Sequence, residues 1–78
     1  MTPPRLTRIQ RQTLVLAANG NTNRQIATWR GVTAHSVTEV LTTTYKRLGA
    51  ADRTQAVALA LRLGLINLEE IQLPHPTS

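Results

Sequence analysis

The chain has no cysteine, no phenylalanine, one tryptophan and one tyrosine in 78 residues. Without thiols it can form neither a disulfide framework nor a thiolate metal site, which excludes a stapled secreted mini-protein and a zinc finger. No apolar run approaches the ~18 residues needed to span a bilayer. The start, MTPPRLTR, lacks the apolar core of a secretory signal. The default reading is a cytosolic protein. At this length one small domain is expected, and such a domain buries only about 60% of its unfolded surface. That leaves little room for a deep active-site cleft. No metal ligands stand at suitable spacing, there is no glycine-rich phosphate loop, and no nucleophile has a matching histidine and acid. The sequence therefore predicts no catalytic residue, no metal, no cofactor and no enzyme.

Acid is also scarce. Nine Lys/Arg against four Asp/Glu give a net charge of +5, with an isoelectric point near 11.5. Two of the acids, Glu69 and Glu70, lie near the C-terminus. Residues 1–66 carry all nine bases against only Glu39 and Asp52, a net +7. A compact basic body implies a polyanionic partner, with nucleic acid first and a membrane surface second.

What is present is helical punctuation. Glycines stand at 20, 31, 49 and 64, each after a segment of helix-like spacing. Glycine tolerates the left-handed conformation that closes a helix. Thr7 with Gln10, Thr22 with Gln25, and Asp52 with Gln55 each have the spacing of a capping box. Thr33 is a further cap, with Ser36 in the weaker reciprocal position. These limits predict an all-α chain of four helices, at about residues 8–19, 23–30, 34–48 and 53–63. Thr42, Thr43 and Thr44 favour strand locally, but they lie inside the stripe Val37, Leu41, Thr44, Tyr45 and Leu48, which is one helical face. On the fourth helix, Ala56, Val57, Ala60 and Leu61 are expected to pack inward. Residues 1–5 read as an N-terminal arm, 6–66 as the domain, and 67–78 as an extension whose end, with His75, is solvated and disordered.

The second and third helices are separated only by Gly31, Val32 and Thr33. A short helix, a tight glycine turn and a longer helix make the helix-turn-helix plan. The turn packs Ile26 and Ala27 against Val37 and Leu41. The outer face of the third helix is then free to enter the ~12 Å major groove of DNA.

Further residues carry a resemblance. Leu6-Thr7, Leu14, Ala17, Gly20, Thr22-Asn23-Arg24-Gln25-Ile26-Ala27, Val32-Thr33, Val37, Tyr45-Lys46-Arg47-Leu48-Gly49-Ala50 and Arg53-Thr54-Gln55-Ala56-Val57 keep one order and spacing across all four helices. On these residues the chain resembles the LuxR/GerE-type DNA-binding domain, from about Leu6 to Ile66. The resemblance implies a stand-alone, dimeric, bacterial transcription factor paired through its last helix. There are departures. Ile9-Gln10 stands where the family usually has Arg-Glu, and Arg30 where a leucine usually packs. Thr38 and Val40 replace a basic residue and a histidine, and Thr42 stands at a position that is often basic.

With the Val37 stripe turned inward, Thr38, Glu39, Thr42 and Thr43 face out. Matching positions in the family face base edges, which makes these four the candidate base readers. Threonine can donate, accept or lay its methyl on thymine, and Glu39 can accept from cytosine N4. The phosphate candidates are Thr22, Asn23 and Arg24 at a helix start, where amides and dipole suit an anion. They are joined by His35 in the first turn of the third helix and by Lys46 and Arg47 at its end. Leu59, Arg62 and Leu63 form the candidate dimer interface, an apolar strip without an internal partner. Arg8 and Arg11 read as exposed-face charges. Trp29 reads as a core or half-buried packing residue that supplies the bulk missing at Arg30. The expected partners are double-stranded DNA and a second copy, with a transcription protein as a further candidate and no membrane. The expected place is the bacterial cytoplasm, on the nucleoid. The rival reading is a protein-interaction module of the same fold that sequesters or pairs with a regulator. The lack of a base on the reading face keeps that rival open.

Overall fold

The computed structural model describes residues 4–72. Its elements are α1 (Arg8–Ala18), α2 (Asn23–Arg30), α3 (Ala34–Leu48), α4 (Arg53–Arg62) and a 3-10 turn over Leu68–Glu70. Among the described residues there is no strand, so the fold is all-α, as expected. The threonine run lies wholly within α3. Only the ends of α1 and α4 fall one residue short of the expected limits.

The caps account for these limits. The Thr7 hydroxyl accepts from Gln10 N at 3.1 Å, and the Gln10 side chain accepts from Thr7 N at 2.8 Å. Thr22 and Gln25 repeat both bonds at the start of α2. Thr33 accepts from Ser36 N at 3.1 Å. The box at α4 is incomplete. Asp52 accepts from Gln55 N at 2.9 Å, but the Gln55 side chain reaches past the cap to Ala51 N, at 2.6 Å. At the other end, Gly31 (φ 69°) and Gly49 (φ 72°) close α2 and α3 in the left-handed region. A Cβ would meet nothing within 4 Å at either position, so backbone conformation rather than crowding calls for glycine.

Helix α3 packs against α1, α2 and α4 and organises two apolar clusters. In one, Ala17, Ile26, Ala27, Val37 and Leu41 lock the helix-turn-helix pair onto α1. In the other, Leu14, Leu48, Ala56, Ala60 and Ile66 join α1, α4 and the segment after it. Half-buried Tyr45 touches both clusters. The predicted α3 stripe is thus the centre of the molecule. Its one polar member, Thr44, is fully buried and donates to the Val40 carbonyl at 2.7 Å.

The segment after α4 folds back on α1. Ile66 is 1% exposed, so the core extends to that residue. Arg11 Nε donates to the Leu65 carbonyl at 3.1 Å, and Arg11 Nη2 pairs with the Glu70 carboxylate. Asn19 Nδ2 donates to the Glu70 carbonyl at 3.0 Å, and Gln72 N donates to Asn19 Oδ1 at 2.6 Å. Arg11 is therefore a half-buried clasp and not the free surface charge expected; Arg8 is exposed. The Asn67 N–H, and then the Arg11 guanidinium, hold the Glu70 carboxyl below the ordinary glutamate range. The expected disordered end and His75 lie outside the described residues.

Candidate nucleic-acid interface

The exposed side of α3 carries all four candidate readers: Thr38, Glu39, Thr42 and Thr43 are exposed, opposite the buried Val37, Leu41, Thr44 and Leu48. They fall into two rows, because residues four apart share a helix face. Thr38 and Thr42 form the row beside α2. Glu39 and Thr43 face the start of α1 and line an open cleft of about 340 Å³ with Ser36, Val40, Thr7, Ile9 and Gln10. Glu39 Oε1 lies 3.5 Å from His35 Nε2 one turn earlier, both highly exposed. The hydroxyls of Thr38 and Thr43 donate back to the carbonyls of Ala34 (3.1 Å) and Glu39 (3.0 Å).

The phosphate candidates sit at both ends of this face. The capping box satisfies the amides of Thr22 and Gln25. The first-turn amides of Asn23 and Arg24 have no intrahelical acceptor and project from the helix start, where the dipole is positive. The Arg24 side chain is exposed. Asn23 is half-buried and fully engaged: Nδ2 donates to Thr38 Oγ1 at 3.1 Å, and Oδ1 accepts from Arg53 Nη2. Its side chain thus links α2 to both α3 and α4. At the far end, Lys46 and Arg47 are exposed in the last turn of α3. Arg47 Nη1 reaches the Arg5 carbonyl at 3.3 Å and draws the N-terminal segment toward that end.

Arg53 is a residue that sequence reasoning missed. It is the first residue of α4, yet its Nη1 donates to the Asn21 carbonyl at 2.7 Å, tying α4 to the turn before α2. One signal was present, since a cation at the positive end of a helix is unfavourable unless something else holds it.

Trp29 overturns its expectation. It is 75% exposed, flanked on one side by a cleft with Ile9, Val15 and Leu16 and on the other by Asn21, Arg24, Gln25 and Thr28. The bulk missing at Arg30 is instead offset by polarity, as Arg30 Nη1 donates to the fully buried Thr13 hydroxyl at 3.2 Å. On α4, Val57 and Leu61 pack on the core beside Ala56 and Ala60. Leu59 is half-buried, Arg62 is exposed, and Leu63 is 41% exposed. Among the described residues no three His, Cys, Asp or Glu cluster to hold a metal, and no helix is long and apolar enough to cross a membrane.

The family model of bacterial regulatory proteins of the luxR family, GerE, matches residues 4–60. The chain belongs to the luxR family. Its four-helix arrangement agrees with the structure of the transcription factor GerE at a TM-score of 0.73 and 25% identity, covering 86% of this chain and 92% of that one. Among curated relatives, it is 39% identical over 56 residues to the HTH-type quorum sensing-dependent transcriptional regulator VjbR of Brucella ovis. The same match holds for VjbR of Brucella abortus. The matched part is 72% of this chain and 22% of the relative, so the luxR-family domain described here corresponds to about a fifth of that protein. Membership makes this a helix-turn-helix domain of the DNA-binding, transcriptional-regulator class.

Proposed function

We propose that this luxR-family chain binds duplex DNA selectively as a homodimer, with α3 in the major groove, and regulates transcription on the bacterial nucleoid. The observation that carries the reading is the division of α3: one side is anchored in both apolar clusters, and the other presents Thr38, Glu39, Thr42 and Thr43 to solvent. Arg24 at one end and Lys46 and Arg47 at the other are exposed, which supports phosphate contacts on either side of the groove. Phosphate contacts fix register, and base contacts specify. None of the four readers is Arg or Lys, so a bidentate bond to guanine is not available from them. Selectivity then rests on threonine methyls and hydroxyls, on Glu39 toward cytosine, and on DNA shape. Pairing through Leu59, Arg62 and Leu63 sets two half-sites about one helical turn apart, ~34–36 Å.

Selection of bound sequences from a random duplex library tests this reading. Two related half-sites at that spacing are expected. Replacing Thr38 and Thr42 together by alanine should flatten the preference between sites far more than it lowers affinity for random duplex. A second reading, a module that pairs with another regulator, draws on exposed Trp29 and the cleft of about 430 Å³ beside it. That reading is favoured if no sequence is enriched and no duplex is bound.

A further inference from the structure

We propose that Thr38 reads DNA through its methyl group, selecting thymine at one base pair, because a hydrogen-bond relay starting at Arg53 commits its hydroxyl elsewhere. The inference rests on the duplex-binding reading above and goes further in naming the group read. A guanidinium can only donate. Arg53 is anchored on the Asn21 carbonyl at 2.7 Å and donates through Nη2 to Asn23. The Asn23 amide must therefore present Oδ1 to Arg53, which turns Nδ2 toward Thr38 Oγ1, 3.1 Å away. With that oxygen accepting from Asn23, the Thr38 proton goes back to the Ala34 carbonyl, at 3.1 Å. Every step of the relay has one direction, and the direction is set by the residue that cannot accept.

A base edge then meets no hydroxyl donor at Thr38. The hydroxyl keeps one acceptor lone pair but no proton to give, and the group left with no partner of any kind is the Cγ2 methyl, whose apolar counterpart in the major groove is the C5 methyl of thymine. Arg53 acts through Asn23 and is a positioning residue. The relay also accounts for a cation at the first residue of α4, against the helix dipole.

The test uses the full chain and the duplexes it selects from a random library. Each thymine is replaced in turn by deoxyuridine, which removes the C5 methyl and keeps the hydrogen-bonding edge. The wild type is expected to lose roughly fourfold in affinity at one position per half-site, the worth of one desolvated methyl. Thr38→Ser should abolish that ratio and Thr38→Val should keep it. Arg53→Met should bring the ratio toward one at that same position, and Arg53→Lys, which still donates to Asn23, should restore it. If Thr38→Ser keeps the ratio and Thr38→Val loses it, the hydroxyl is the reader and the proposal is overturned. A wild type that binds its selected duplexes but ignores deoxyuridine at every position also overturns it, leaving the regulator reading intact. Failure to bind any duplex refutes the regulator reading itself and this proposal with it.

Discussion

The salt dependence of duplex binding can be worked out from which bases are free. Nine Lys/Arg would suggest a large electrostatic footprint, but three are tied internally. Arg11 is held by Leu65 and Glu70, Arg30 by Thr13, and Arg53 by Asn21 and Asn23. Arg62 stands on α4 in the proposed dimer strip. Arg5 and Arg8 are exposed at the start of the chain and are not counted as phosphate candidates. Arg24, Lys46 and Arg47 remain exposed at the ends of the proposed reading face, although Arg47 also donates through Nη1 to the Arg5 carbonyl. Three phosphate contacts per protomer predict a slope of log K against log[salt] of about −2.7, and about −5.4 for a dimer engaging both half-sites. Between about 50 and 200 mM salt the dimer should then lose about three orders of magnitude in affinity.

Fluorescence polarisation of a labelled random duplex, titrated at several salt concentrations, measures the slope. Arg24→Ala and Lys46→Ala should each weaken all sequences alike and flatten the dimer slope by about 1.8, one contact in each protomer. Arg11→Ala is the control. It removes the same charge from the chain, but from a group already paired on the side of α1 that holds the C-terminal segment. It should lower the melting temperature and leave the slope unchanged. If Arg11→Ala flattens the slope as much as Arg24→Ala does, net charge rather than placed contacts governs binding, and the assignment of free bases fails. A slope near zero refutes phosphate neutralisation altogether.

Three further outcomes follow from the packing and the charges. Leu59→Glu should shift the protein toward monomer in sedimentation and weaken binding to selected duplexes while leaving the melting temperature nearly unchanged; a wild type that is monomeric at high concentration, with and without DNA, removes the dimer. Val37→Ala deletes two methyls from a fully buried site and should cost about 2 kcal/mol, a fall in melting temperature of roughly 8–16 °C for a domain of this size. A negligible change in calorimetry would mean that α3 is not anchored there. The Asn67 N–H, and then Arg11, hold the Glu70 carboxyl below its ordinary pKa in the folded protein, so the ionised carboxylate contributes stability that is present above the unfolded value and is lost as pH falls through the folded one. Glu70→Gln should therefore melt below wild type at neutral pH, with the gap closing as pH drops below about 4.3; a gap constant across that range discounts the charge.

The helices were legible because their signals are local. A cap and its partner are three residues apart, a closing glycine follows its helix directly, and the Val37–Leu48 stripe repeats at the helical period within one element. The exposure of Thr38, Glu39, Thr42 and Thr43 follows from that stripe alone. The polar fastenings were not legible, because nothing periodic marks them. Arg53 meets Asn23 thirty residues away, and Arg11 meets Glu70 at a separation of 59. Whether a guanidinium faces water or a carbonyl depends on how the helices cross. The same limit hid the docking of the C-terminal segment, where Asn19 and Arg11 hold backbone carbonyls that no side-chain pattern identifies.

Trp29 departs from its expected place for a different reason: its angular position on α2 outweighs its residue type. With 3.6 residues per turn, the middle of the buried Ile26–Ala27 face lies about 110° from Trp29 and only about 10° from Arg30. Period alone therefore turns Arg30 inward and Trp29 outward, as the structure has them. Hydrophobicity cannot rotate a single side chain across a helix whose face is already set by two buried neighbours and by a cap at each end. The cost falls at position 30, where a charged group must enter a half-buried site. It is met by the long guanidinium stem and by the Thr13 hydroxyl on α1. Trp29 is left on the surface beside Ile9, while α3 keeps its buried anchor and the exposed face of Thr38, Glu39, Thr42 and Thr43.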